Sequence, residues 1–494
     1  MKSLRSWCRA ALLGAGLACC GAANAASLYL PVGDGHLRSD LKLLADAGVI
    51  RLSTLAWPMP RADVARALEE ARITGDSGLA TVLGRVRARV LGPEATSGLR
   101  LVGGHPARLR EFETPGREDG NATLWATTGD VNWSATGVVT WVTDAADRHP
   151  VRFDGSEFTM HVGNWLFGIN ALDRWWGPGI EESLILSNNA RPVPAIMIDR
   201  ATSVPFESRW LHWIGPWRLT SFLGQMDGSR HDVRHPLYWG IRVEAQPRPW
   251  MQIGLQRVSM FCGEHRRCGP RTWWDMLVGK YAANNNVSQP DNPGDSLAGF
   301  DLRFTLPGRV PVSLYSQLIG EDVGQYIPFK YLGQFGLEAS GATAAGASWR
   351  GFVEYSNSTC NFYRDNYGGS KPPLFGCAYD HNLYNVEGYR YLGRAVGATT
   401  DNDSRLWAVG FRFAPAHGGE WTTKILAGDL NRGSVQLNEL TPVRTSYRAA
   451  EAGWSADLGR HGALGLRLGA ERWQPEGSAR RTSAYGFVDW QHPL

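Results

Sequence analysis

From Phe300 to Leu306 the chain alternates without a break: Phe300, Leu302, Phe304 and Leu306 are apolar, and Asp301, Arg303 and Thr305 between them are polar. The dyad returns at Leu464-Gly465-Leu466-Arg467-Leu468. It returns again at Trp407, Val409, Phe411 and Phe413, with Ala408, Gly410 and Arg412 between them. Residues two apart share one face of a strand. A chain built from many such strands must cover every apolar face with something. Behind an export signal, a long series of them predicts a transmembrane antiparallel β-barrel, with hydrocarbon outside and water or polar groups within. A soluble β-sandwich or propeller is the alternative, and no repeat of roughly 40–50 residues is visible to support a propeller.

The chain opens with an export pattern. Lys2, Arg5 and Arg9 precede an apolar run from Ala10 to Cys20 that is too short to span a bilayer, and Ala23-Asn24-Ala25 has the form of a cleavage site. Residues 1–25 are therefore expected to be a signal peptide. The formal charge is +4, and the leader holds three of those bases and no acid, so the remainder is nearly neutral. That excludes nucleic-acid binding by net charge. No later stretch approaches eighteen apolar residues, so helical spans are excluded too. Four of the seven cysteines lie beyond the leader, as the local pairs Cys262/Cys268 and Cys360/Cys377. In an exported chain these read as two loop-closing disulfides. Zinc is the rival, but neither pair has C-x-x-C spacing.

Residues 26–95 differ in pattern from the rest of the chain. Asp34 caps a helix with the stripe Leu37, Leu41 and Leu44, ended by Gly48. Trp57-Pro58-Met59-Pro60 breaks the chain. A second helix carries Val64, Ala67, Leu68 and Ala71, and a third carries Leu79, Val82, Leu83, Val86 and Val90. These stripes predict a small α-helical bundle. Residues 96–494 are expected to form the barrel. Tight turns at Gly163-Asn164, Pro247–Pro249, Pro307–Arg309, Ala342–Gly346, Ala416–Gly419 and Leu458–Gly462 alternate with long loops. The long loops are Asp173–Val193, Asp227–Tyr238, Cys262–Ser296, Glu321–Lys330, Ser356–Asp403, Asp429–Thr445 and Gln474–Arg481. Counting outward predicts about eighteen strands, with both termini and the bundle on the short-turn, periplasmic side.

Motifs for catalysis are missing. There is no G-x-S-x-G, P-loop or H-E-x-x-H. His231 and His235 sit in a loop with Pro236, and Asp401-Asn402-Asp403 lacks the rest of a calcium loop, so no metal is expected. The loops carry a different chemistry. Ser356–Asp403 interleaves Tyr363, Tyr367, Phe375, Tyr379, Tyr384 and Tyr389 with Arg364, amides and carboxylates. Flat rings stack on sugar faces, and planar polar groups pair with hydroxyls and acids. Exposed barrel loops are also rich in Tyr and Asn simply to fold over the mouth. His265, Arg266, Arg267 and Arg271 form a second, basic loop suited to an acidic polymer. Tyr363, Arg364, Tyr367, Tyr379, Arg266 and Arg267 are the candidate sugar contacts. In Arg174-Trp175-Trp176-Gly177-Pro178-Gly179 the glycines and Pro178 force a tight bend. This run reads as a sugar platform, a plug in the lumen or, favoured, a bulky anchor for Ser187–Pro192.

Several stretches together resemble the capsule assembly protein Wzi family. They are Pro31-Val32-Gly33-Asp34 with His36-Leu37-Arg38, Leu43–Gly48, Trp57-Pro58, Asp154-Gly155-Ser156 and Gly163-Asn164-Trp165. Arg174–Gly179, Ser187-Asn188-Asn189-Ala190-Arg191-Pro192 and Tyr389–Arg394 complete the set. The resemblance implies an eighteen-stranded barrel in the outer membrane of a Gram-negative bacterium, with a periplasmic helical bundle. It also implies a non-enzymatic, cofactor-free lectin that holds capsular polysaccharide at the cell surface. The expected partners are that polysaccharide, an acidic one on the loop chemistry, outer-membrane lipid and the capsule export machinery. A substrate-specific porin or polysaccharide exit channel is the alternative. The family pattern supplies no sugar-contact motif, so the loop residues rest on their own chemistry.

Overall fold

The structure, a computed structural model, describes residues 26–73, 75–113, 116–231, 233–278, 294–324, 327–364, 373–380 and 387–494. The expected leader, and Tyr367 and Tyr384, lie outside these residues. The fold is mostly β. Eighteen strands run in chain order around a closed antiparallel barrel. They are β1 (Ser97–His105), β2 (Gly120–Gly129), β3 (Trp133–Val142), β4 (Val151–Arg152 and Glu157–Val162), β5 (Trp165–Asn170) and β6 (Ala195–Arg200). Next come β7 (Trp217–Gln225), β8 (Leu237–Arg248), β9 (Met251–Phe261), β10 (Gly294–Leu306), β11 (Val312–Gly324) and β12 (Ile327–Ala342). The series ends with β13 (Ser348–Asn357), β14 (Arg405–Ala414), β15 (Glu420–Leu430), β16 (Thr445–Asp457), β17 (Ala463–Pro475) and β18 (Arg481–Pro493). β18 closes on β1 from Gly486↔His105 to Pro493↔Gly98, so no edge strand remains in the sheet.

The alternation sorts the wall. On β14 Trp407, Val409 and Phe411 are exposed on the outer face, and on β17 Leu468 is 72 % exposed. Asp301, Arg303 and Thr305 point inward and are buried. The lumen they enter is packed, and it has two zones. Toward the short-turn end it is a charged network in which Arg242 meets Asp301 at 2.6 Å and Glu244 at 2.9 Å, and Arg218 meets Asp199 at 2.6 Å. Toward the long-loop end the inward residues of β7 to β12 turn apolar: Phe222, Tyr238, Val258, Met260, Leu297, Ile319 and Leu332 all belong to one buried cluster. An inside-polar rule does not foresee this second zone, because it holds only where water or ions fill the barrel.

Helices α1 (Gly35–Asp46), α2 (Arg61–Glu69) and α3 (Ser77–Leu91) pack through the stripes read from the sequence. Asp34 accepts from Leu37 N at 2.9 Å, and Asp76 caps α3 in the same way. None of the described helices is long and apolar enough to cross a membrane. α1 touches the lumen wall through charge. Arg303 of β10 holds Asp46 with Nη2 at 2.7 Å and Glu338 with Nη2 at 2.5 Å, while Lys42 Nζ and Arg350 Nη1 reach the same Glu338 at 2.9 and 2.7 Å. The bundle therefore sits in the mouth at the short-turn end, which in outer-membrane barrels is periplasmic.

Short and long connections alternate as expected, with three departures. The expected loop Glu321–Lys330 is a projecting hairpin, because the β11–β12 ladder continues through Asp322↔Phe329 to Gly324↔Ile327. β4 is interrupted at residues 153–156, where Asp154-Gly155-Ser156 bulges out of the sheet. The β6–β7 connection, residues 201–216, is long although it lies on the short-turn side. It exposes Trp210 by 73 % and Trp213 by 64 %.

Candidate functional site

The β5–β6 loop, residues 171–194, folds into the barrel. Trp175 and Trp176 pair as a short antiparallel ladder with Trp57 and Ala56 of the N-terminal segment. Phe112 stands edge-on to both Trp57 and Trp175, at 5.4 and 5.6 Å. Arg38 lies over Phe112 at 4.2 Å and donates to Gly179 O at 2.7 Å. Arg174 lies over Phe222 at 4.6 Å and donates to Asn170 Oδ1 at 2.7 Å. Gly177 has a φ of +156°, and a Cβ there would come 2.7 Å from Gln317 Nε2, so this position takes glycine. All six residues of the Arg174–Gly179 run are buried. They cannot meet a polymer outside, and they work as a lumen plug.

The wall grips this plug at its turn. Glu354 of β13 accepts from Ile180 N at 2.7 Å, Glu181 N at 3.1 Å and Glu182 N at 3.2 Å, and also from Tyr315 Oη and Gln334 Nε2 at 2.7 and 3.0 Å. Across the lumen, Lys424 of β15 reaches Glu181 at 3.2 Å and Glu111 at 3.3 Å. Burial pushes the Glu181 carboxyl up to about 8, against the lowering pull of Lys424. A cavity of about 50 Å³ remains beside Glu181 and Lys424, room for a water or two. Two more of the stretches that resemble the family, Asp154-Gly155-Ser156 and Ser187–Pro192, lock the same loop. Arg191 holds Asp154 with two bonds of 2.8 Å and Asp147 at 2.9 Å. Asn188 donates to the carbonyls of Glu111 and Phe112, and Asn189 to Ala395 O at 2.9 Å.

The β13–β14 loop, residues 358–404, closes over the plug. Among its described residues it carries a local hairpin, Arg390-Tyr391 on Arg394-Ala395. Tyr379 corrects one expectation. Its ring is fully buried, its hydroxyl donates to Leu184 O at 2.6 Å and accepts from Ala398 N at 3.0 Å, and so it is part of the plug's roof. Arg390 is likewise buried between Asp401 and Asp380, at 2.7 and 2.6 Å.

What reaches solvent is a smaller set. The disulfide Cys360–Cys377 braces a loop from which Tyr363 is 46 % and Phe375 39 % exposed. Arg364 lies over the Tyr363 ring at 5.6 Å and Arg432 over Phe375 at 5.6 Å. Each pair offers a flat ring with a guanidinium beside it. A groove of about 400 Å³ opens nearby on the rim between the β15–β16 and β17–β18 loops, lined by Asp429, Arg444, Ser446 and Gln474 among others. The structure places Arg266 and Arg267 apart from these pairs, on the turn closed by Cys262–Cys268. Sequence reasoning missed Arg432, Arg444 and Gln474. Their signal was only position, since each lies at or beside the outer end of a strand.

Asp403 ties this roof to pH. It is fully buried, and its Oδ2 accepts from Gly376 N at 2.7 Å. Burial pushes its carboxyl from 3.8 up to about 7, Asp380 and Asp401 add to the rise, and the Gly376 bond opposes it. A raised value favours the protonated folded form. The stabilisation is therefore full below 3.8 and is lost as pH rises through about 7. Amide exchange in residues 398–404, corrected for intrinsic rate, should show stronger protection near pH 5 than near pH 8. Asp403→Asn should abolish the difference, and equal protection in the parent protein at both values would refute the assignment.

Known proteins share this architecture. The family model described as capsule assembly protein Wzi matches residues 97–484. An uncharacterized 55.8 kDa protein in the cps region of Klebsiella pneumoniae is 27 % identical over 460 residues, 91 % of this chain and 86 % of its own length. The solved structure of Wzi from Escherichia coli, described as an outer membrane protein involved in group 1 capsule assembly and a carbohydrate-binding β-barrel, superposes with a TM-score of 0.80. It is 24 % identical and covers 95 % of this chain and all of its own. The chain thus belongs to the capsule assembly protein Wzi family and is a β-barrel of the outer membrane.

Proposed function

We propose that this protein is a non-enzymatic surface lectin that binds capsular polysaccharide with its outer loops and holds it at the cell. The observation that carries this reading is a barrel whose lumen is filled while ring-and-guanidinium pairs stand on its outer surface. A filled lumen suits a platform and not a porin or exit channel. The carbohydrate binding stated for the Escherichia coli barrel supports the same substrate class. Arg364 favours an acidic polymer, since a guanidinium pairs with a carboxylate in two bonds. Each stacked ring or hydrogen bond contributes about 1 kcal/mol, and repetition along the polymer multiplies weak contacts into retention.

The test uses assembled protein and purified capsular polysaccharide. Replacing Tyr363 and Arg364 together with Ala should weaken binding by about tenfold or more, the equivalent of about 1.4 kcal/mol. Adding Tyr367→Ala, which alters a neighbour on the same loop, should release capsule from cells. A normally assembled triple variant with parental binding and parental retention would remove this loop as the binding surface.

A further inference from the structure

The β9–β10 loop contains a helix, α4 (Pro270–Val278), that lies outside the barrel wall. Strand parity shows this. On β9 Leu255, Arg257, Ser259 and Phe261 point outward, and Ser259 pairs with the outward Ser296 of β10. Leu255 is 59 % exposed, as a lipid-facing residue should be, yet Ser259 is 0 % and Ser296 3 % exposed. α4 packs on this outward surface beside them. Phe261, Cys262 and Met276 form one buried cluster with Leu223, Leu237, Trp239 and Trp273, and the first three of these last four are outward residues of β7 and β8. Trp273 meets Phe261 edge-on at 4.8 Å. Arg257 rises from the outer face to donate to Ser296 Oγ at 2.9 Å and to Leu277 O, at the end of α4, at 3.4 Å. Its Nε is buried without a partner.

The side of α4 turned away from the wall is apolar where a loop in water would be polar. Trp274 is 64 % and Leu277 51 % exposed, continuing the lipid-facing band that includes Leu255. Arg271 is 82 % exposed and only 3.7 Å from Asp275, a weak pair. The turn before the helix, tied by Cys262–Cys268, carries His265, Arg266 and Arg267. Residues 257–278 hold Arg257, Arg266, Arg267 and Arg271 against Glu264 and Asp275, an excess of positive charge. A short helix with Trp and Leu on one side and Arg beside them has the make-up of an element lying in a lipid interface. It stands at the long-loop end, and there the leaflet is built of phosphorylated glycolipid.

We infer that α4 and its disulfide-tied turn bind a phosphorylated glycolipid of the outer leaflet, with Trp274 and Leu277 among its acyl chains and Arg257 and Arg271 on a headgroup phosphate. Guanidinium groups suit this task because they meet phosphate in paired, charge-assisted bonds. The site is separate from the polysaccharide surface, and neither reading depends on the other.

Native mass spectrometry of the full chain in detergent tests it, with bisphosphorylated lipid A and enzymatically dephosphorylated lipid A as probes. The protein should retain the bisphosphorylated form at least about tenfold better, and Arg271→Glu with Trp274→Ser should remove that preference. Trp213→Ser, on the opposite rim, should leave it intact. Arg257→Gln should act like the double variant; if that barrel does not assemble, the exposed pair decides the matter. Equal retention of both lipids, or parental retention by the double variant, overturns the inference. So does displacement of the lipid by millimolar inorganic phosphate, which marks a free-anion site. Loss of capsular polysaccharide binding with lipid retention unchanged would assign the helix to the glycan surface instead.

Discussion

Glu354→Ala should convert a closed barrel into one that conducts. The parental protein in a planar bilayer is expected to pass little steady current, because the Arg174–Gly179 run and its flanks fill the lumen. The Glu354 carboxylate gathers the backbone N–H groups of Ile180, Glu181 and Glu182, so one side chain satisfies three donors at once. Each buried donor left unpaired costs about 1 kcal/mol or more, so the substitution weakens the seated plug by about 3 kcal/mol. That is about a hundredfold in the open fraction. Glu354→Gln should fall between the two, since an amide keeps one acceptor oxygen but sets an NH₂ group among donors. Single-channel recording of heat-modifiable, assembled protein reads the result. A silent Glu354→Ala barrel would show that the roof of residues 387–404 and the ion pairs of Glu181 hold the plug without it.

Arg303→Ala should free the helical bundle from the barrel mouth. Arg303 is fully buried and joins Asp46 of α1 to Glu338 of β12, and Lys42 and Arg350 complete the network. A buried pair is weak evidence of net stability, but removing Arg303 leaves Asp46 without a close cation in a place water does not reach, at about 3–5 kcal/mol, while Lys42 and Arg350 still hold Glu338. The strand itself keeps its ladder on both sides, so the loss falls on the α1 interface. Limited proteolysis at residues 92–96, between α3 and β1, should speed up by about a hundredfold or more if the bundle opens before cleavage. Arg303→Lys should recover part of the protection. Cleavage at the parental rate in the Ala variant would mean that the apolar stripe of the bundle, not its charges, keeps it seated.

Much of this architecture was legible because lipid enforces a simple code. Phe300 to Leu306 alternate since every outward residue meets hydrocarbon, and the α1 stripe with its Asp34 cap follows the helical period just as plainly. Turn residues announced the short connections. The code fails where its cause is absent. Val258, Met260, Leu297, Ile319 and Leu332 point inward yet are apolar, because they meet the plug and not water. Tyr379 reads as one more loop aromatic, and only the fold reveals that Leu184 O awaits its hydroxyl. The Arg174–Gly179 run hints at enclosure, because two large rings and two glycines in a bend fit a packed interior better than an open surface. Helix α4 was missed, although Pro270 opens it and Trp273, Trp274, Met276 and Leu277 cluster at near-helical spacing. Glu354 carried no local signal at all, since its role depends on a turn 172 positions away in the chain.

The plug's partners come from distant parts of the chain: Trp175-Trp176 zip onto Ala56-Trp57, and Ser187 N bonds to Val396 O at 2.8 Å. Seating therefore needs two remote pieces of the chain in place, the amino-terminal segment for the tryptophans and the β13–β14 loop for Ser187. Seating is thus expected late in folding, since contacts so remote in sequence form slowly. A barrel inserted before its plug has seated would stand open, and the length of that leak would be the time two tryptophans need to find their slot.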